Sequence, residues 1–381
     1  MSRVAVTEEV LRWALNRSEK SEDGLQKKIP KIHQWLTGES QPTLRQLETF
    51  AKATYTPLGF LFLEKPPQDR LPIPHFRTLG DEGLQRPSPN LLETIQIMQR
   101  RQSWMREFLI EQGQEGLPYV KSVRLEEHPR STAKQIKKTL GLDEEWAARQ
   151  PTWTEALSIL RENLENAGIL VVVNGVVGNN THRKLDPNEF RGFVLVDEYA
   201  PLVFVNGADY KAAQMFTLAH EIAHVFLGSS AAFDLREMQP AEDPMEQRCN
   251  RVAAEFLVPE NEIRKVWDSV KSDTEPFQTL ARRFKVSVLV VARRALDLHL
   301  IDKEAFLQFY KVYTKRQKSV PQPEGGDFYA NQNLRIGRRF ASTVIRATKE
   351  GKLLYSEAYQ LTGLYGNTFE SYTSHIEMSG R

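Results

Sequence analysis

Two histidines stand four residues apart in the apolar segment MFTLAHEIAHVFLG (215–228), and an acid directly follows the first. On a helix, residues four apart share one face, so His220 and His224 could set two imidazole nitrogens on one tetrahedral metal ion. Glu221 would lie beside that pair without being a ligand, within reach of a water held there. His-Glu-x-x-His is the pattern of zinc-dependent peptide hydrolysis, and the spacing is its mechanical reason. Phe216, Leu218, Ala219, Ile222, Ala223, Val225 and Phe226 are apolar, so the helix is expected to be largely buried, and buried imidazoles need partners. The plain alternative is a core helix with two satisfied histidines. Two expected strands before it and an acid-bearing helix after it weigh against that.

A catalytic site of this kind needs a third protein ligand. The acids downstream are Asp234, Glu237, Glu242, Asp243, Glu246 and Glu255. In DPMEQRCNRVAAEFLVP (243–259), Asp243 suits a helix N-cap and Pro244 the first turn. Glu246 shares a face with Asn250, Ala253 and Leu257, the face expected to pack inward, and small Ala253 would allow close approach to the histidine helix. Glu255, nine residues on, points to the opposite side. Glu246 also stands where the glutamate of a capping box belongs, a purely structural role.

HEIAHVFLG followed by EQRCNRVAAEFLVP, with RGFVLVDEYAPLVFVNGADYKAAQMFTLA leading in, resembles the ImmA/IrrE family of bacterial and phage metallopeptidases over about 131–265. The resemblance implies a small gluzincin-like α+β fold. It implies zinc on His220, His224 and Glu246, with Glu221 as the catalytic carboxylate that takes a proton from water and returns it to the leaving amine. It also implies a protein substrate, since some members cut helix-turn-helix repressors. The developing oxyanion needs a further partner; Tyr199, Tyr210, His182 and Lys211 are candidates. Strand APLVFVNG (200–207) offers either an edge for an extended peptide or, more simply, a core strand.

The elements around this centre follow from patterning. Strands are expected in AGILVVVNG, EFRGFVLVD and APLVFVNG, a helix from about 209 to 227 that stops at Gly228, and another over about 244–257. SSAAFDLREMQPAED between those helices reads as a loop. Residues 1–64 read as short helices, and ESQPTLRQLETFAKATYTPLGFLFL resembles the latter half of Cro/repressor-type helix-turn-helix domains. LQKKIPKIHQW (25–35) departs from that pattern, being too short for a full turn and recognition helix. A Pro-rich linker and a long helix occupy 65–130, and the peptidase core 131–265. A helical, helix-turn-helix-like subdomain covers 266–318, with Arg282, Arg283, Lys285, Arg293 and Arg294 clustered in QTLARRFKVSVLVVARRALDLHLI (278–301). The span 319–381 holds a second linker, VPQPEGGDFYANQN (320–333), and a C-terminal helical module.

Composition excludes several classes. Lys and Arg number 51 against 49 Asp and Glu, a net charge of +2, which argues against binding nucleic acid by bulk charge. The one cysteine, Cys249, excludes a disulfide framework and a Cys-rich zinc site, and suits a reducing cytoplasm. No apolar run approaches a membrane span, and the first twenty residues lack a secretory core. The sequence points to a cytoplasmic zinc endopeptidase making a limited cut in a partner protein, with only weak DNA contact, and the family resemblance implies helix-turn-helix repressors as its substrates. Its rivals are a DNA-binding regulator whose peptidase fold senses or is a relic, and a toxin–antitoxin partner that uses the fold to bind.

Overall fold

The computed structural model describes residues 3–18, 20–67, 87–229, 231–233, 243–316 and 328–379. The described residues up to 67, with 87–96, form one compact unit, and those from 97 onward form the other. None of the described helices is long and apolar enough to cross a membrane.

The first unit holds α1 (Glu8–Arg17), α2 (Glu22–Gln26), α3 (Ile32–Leu36), α4 (Leu44–Thr54) and the start of α5 (Pro89–Glu111). Thr7 caps α1 by accepting from Val10 N–H, and Thr43 with Gln46 makes a capping box on α4, satisfying amides that a helix start leaves unbonded. Val10, Leu11, Trp13, Ile32, Trp35, Leu36, Leu47 and Phe50 form its core. Three of the five residues of α3 are thus committed to packing.

The second unit continues with α6 (Pro129–Thr139), α7 (Trp153–Ala167), β1 (Leu170–Asn174), β2 (Val176–Val177), β3 (Asn180–Lys184), β4 (Gly192–Leu195), β5 (Leu202–Asn206), α8 (Lys211–Leu227), β6 (Ala231–Phe233) and α9 (Pro244–Leu257). Then come α10 (Glu260–Val270), α11 (Pro276–Phe284), α12 (Val288–Asp297), α13 (Lys303–Arg316), α14 (Phe328–Ile336), α15 (Arg338–Lys349), α16 (Tyr355–Thr362) and α17 (Asn367–Ser379). The architecture is α+β, mostly helix around a small sheet of order β1-β5-β4-β6.

β5 is the middle of that sheet, parallel to β1 on one side and antiparallel to β4 on the other. Of the two readings of 200–207, the core strand holds and the free edge does not, because both sides of β5 are hydrogen-bonded. The 229–243 segment is also not loop throughout, because β6 pairs antiparallel with β4. A further hairpin, β2–β3, was not anticipated, and α14 takes over residues 328–333 of the second expected linker.

Alternation along the strands builds two packing faces. Val194, Val203 and Val205 share a core with Leu218, Ile222 and Phe226 of α8, and with Cys249, Val252 and Ala253 of α9. Phe193 and Phe204, on the other face, stack with ring centroids 4.8 Å apart. Leu280, Phe284 and Val290 of α11 and α12 belong to the same core as the histidine helix. Most of their nearby cations are paired internally: Arg283 with Glu145, Arg293 with Asp297 and Arg294 with Glu255.

The C-terminal helices are fastened within this unit by polar contacts to helix ends. Buried Arg101 donates to the carbonyls of Arg335 (2.8 Å) and Leu361 (2.9 Å), where helix ends leave acceptors free. Glu165 accepts from Arg339 N–H at 3.1 Å, and Asn179 donates to Gly363 O at 2.9 Å.

Candidate metal centre

α8 is buried at every position from Gln214 to Phe226. Gln214 fixes its entry by donating to the carbonyls of Gly207 and Asp209. Gly228, at φ +80°, ends it, with its N–H bonded to His224 O at 2.8 Å; a positive φ of this kind is cheap only for glycine. α9 starts at Asp243, which accepts from Met245 N–H at 2.8 Å, with Pro244 in the first turn. It packs on α8 through fully buried Cys249, Val252 and Ala253.

These two helices bring His220, His224 and Glu246 together. His220 Nε2 lies 3.0 Å from His224 Nε2 and 3.1 Å from Glu246 Oε2, and His224 Nε2 lies 3.3 Å from Glu246 Oε1. Ligands about 2.0–2.1 Å from a tetrahedral zinc stand about 3.3 Å from one another, so the three donors have the spacing of one tetrahedral face. Among the described residues this is the one group of three or more His, Cys or acidic side chains with ligand atoms this close. Both histidines are fully buried, and the Glu246 side chain is 17% exposed.

The chemistry of the donors fits a cation as well as their spacing does. His220 Nδ1 is 3.0 Å from Asn250 Oδ1, so the ring donates its proton there and turns an Nε2 lone pair towards Glu246. Burial holds His220 below the usual imidazole range, which favours that neutral form. An imidazole lone pair facing a carboxylate oxygen is an acceptor against an acceptor, which a divalent ion resolves. Burial pulls the Glu246 carboxyl upward, but its contacts with His220 and His224 outweigh that and hold it well below the ordinary range.

Glu221 is the fourth member. Both its oxygens are buried with no hydrogen-bond partner among the described residues. Burial first, and then the charge of Glu246, push its carboxyl well above the usual value. It lies against β4: a Cβ on Gly192 would stand 2.5 Å from Thr217 Cγ2, 2.8 Å from Phe204 O and 3.3 Å from Glu221 Oε1. Glycine at 192 is thus what lets the helix carrying Glu221 sit this close to the strand.

The other sequence candidates lie elsewhere. Asp243 is the N-cap of α9. Glu255 is buried on another side of α9, ion-paired with Arg294. Asp234, Glu237 and Glu242 lie outside the described residues. Of the residues considered for the oxyanion, Tyr210 and Lys211 stand at the start of α8, about 14–15 Å of helical rise before His220. Tyr199 lies in the turn beyond Leu195, at the other end of β4 from Gly192, and His182 is exposed on β3. Sequence reasoning put Asn250 on the inward face of α9 without giving it His220 as a partner. The signal was its position one turn beyond Glu246. Gly192 gave no signal beyond its residue type.

Compared with curated proteins, the chain finds no match. Residues 336–375 match a family model described as a domain of unknown function. Residues 164–296, which hold His220, Glu221, His224 and Glu246, match the peptidase-family model described as the IrrE N-terminal-like domain.

Proposed function

We propose that this chain is a cytoplasmic zinc endopeptidase of the gluzincin type that makes a limited cut in one partner protein, a helix-turn-helix transcriptional repressor. The observation that carries the reading is the triangle of donors: two imidazole nitrogens and a carboxylate 3.0–3.3 Å apart. The peptidase-family match over 164–296 supports it independently.

His220, His224 and Glu246 would hold the ion, and Asn250 keeps the His220 ring in the tautomer that ligation needs. Zinc, when bound, supplies Lewis-acid activation of water and of a peptide carbonyl. Glu221 accepts the proton of the attacking water and delivers it to the amide nitrogen as the C–N bond breaks, so a carboxylate and an amine leave. Its surroundings suit a carrier that must hold the proton between those steps, because burial makes a protonated carboxyl easy to keep.

The flanking helices serve to hold the partner. In α3 five residues carry Ile32, Trp35 and Leu36 into the core, which leaves little helix to reach base edges. We therefore assign the first unit to protein contact, with at most weak, salt-sensitive DNA binding. The test is co-expression with candidate repressors, comparing the wild type with Glu221→Gln. A discrete fragment that depends on Glu221 is the expected result. Rapid, unselective digestion of casein would contradict a limited cut.

A further inference from the structure

A peptide about to be hydrolysed must bring a carbonyl to Glu221 in an extended form. Sheet edges hold extended segments through main-chain hydrogen bonds, with little demand on sequence. The strand beside Glu221 is β4: a Cβ added at Gly192 would stand 3.3 Å from Glu221 Oε1. One side of β4 is bonded to β5. The other is the sheet edge where an added strand would lie, and the chain's own residues 231–233 occupy it. Gly192 pairs with Phe233, Phe193 with Ala232 and Val194 with Ala231.

That occupant is poorly suited to permanence. It is three residues long, shorter than most strands. Two of the three are alanines, which are depleted in strands. It follows the Gly228 stop of α8 at once, so it is delivered to the edge by the helix that carries Glu221. Building on the peptidase reading, we infer that β6 is an internal stand-in for the substrate strand, and that an extended segment of the partner protein displaces it and pairs antiparallel with β4. The substrate class is then a segment free to extend over at least three residues, and basal activity on other chains is low because the edge is already taken.

The experiment reads binding, not turnover. Full-length Glu221→Gln protein carries Val194→Cys and Ala231→Cys. The Cα atoms of such antiparallel partners stand about 4.5–5.5 Å apart, within disulfide range. Fluorescein-labelled β-casein, an unfolded chain, is titrated against the oxidised and the reduced forms by anisotropy. The oxidised form should bind at least about tenfold more weakly than the reduced one, since a locked competitor removes the binding-competent fraction. A second variant, Ala231→Gly with Ala232→Pro and Phe233→Gly, should bind at least as well as the reduced form. Equal binding by the oxidised form and the second variant, including no binding by either, overturns the inference, as does weaker binding by the second variant than by the reduced form. If the difference in binding holds but reduced, zinc-loaded protein with Glu221 intact cuts no partner, the edge inference stands and the peptidase reading falls.

Discussion

Asn250 Oδ1 lies 3.0 Å from His220 Nδ1, and Asn250 sits one turn beyond Glu246 on the same helix. One helix face thus supplies a candidate metal donor and the group that orients another. Outer partners of this kind are worth about 10–100-fold in metal affinity. Asn250→Ala should lose about that much in competition with a chromophoric zinc chelator, whereas Asn250→Asp, which keeps an acceptor, should lose far less. Undiminished affinity in Asn250→Ala would remove the residue from the site.

Gly192→Ala tests the approach of α8 to the sheet. The added methyl meets Thr217 Cγ2 at 2.5 Å and the Phe204 carbonyl at 2.8 Å. Overpacking of this kind costs about 1–3 kcal/mol, and the melting temperature should fall accordingly. Adding Thr217→Ala should recover part of the loss and no more, because the backbone carbonyl stays. A melting temperature unchanged in Gly192→Ala would contradict the close approach.

Glu255 and Arg294 are both buried, and Arg294 Nε also donates to Val258 O at 3.1 Å. Removing one partner strands a buried charge, at a cost of about 3–5 kcal/mol. Arg294→Ala should therefore lower stability by roughly that amount in denaturant titration. Glu255→Gln should leave zinc content unchanged, because Glu255 belongs to this pair and not to the metal donors. Loss of zinc in Glu255→Gln would reopen the choice of ligand.

The parts legible in the sequence were those set by local rules. Asp243 with Pro244 and Gly228 mark helix ends because caps and stops act over one turn. LVVVN and LVFVN read as strands because β-branched and aromatic residues run without a break. β3 escaped notice because NTHRK has an exposed, polar face pattern and exists through its pairing with β2. β6 escaped because Ala-Ala-Phe has no strand signal of its own and is held by β4. The order β1-β5-β4-β6 is a long-range property, and it decides between the core and edge readings of 200–207 in favour of the core. The meeting of His220, His224 and Glu246 was legible because the histidines are four apart and Glu246 faces inward. The closeness of Glu221 to Gly192 was not, because it joins a strand and a helix that share no local pattern.

The central claim is that His220, His224 and Glu246 hold one zinc, while Glu221 handles protons. Metal analysis of the purified chain, after zinc supplementation and desalting, addresses it most directly. The wild type should retain about one zinc per chain, with imidazole nitrogens at about 2.0–2.1 Å by X-ray absorption. His220→Ala and Glu246→Ala should lose it, and Glu221→Gln should keep it. A wild type that retains no zinc, or a Glu221→Gln protein that loses zinc as fully as Glu246→Ala, would contradict the account.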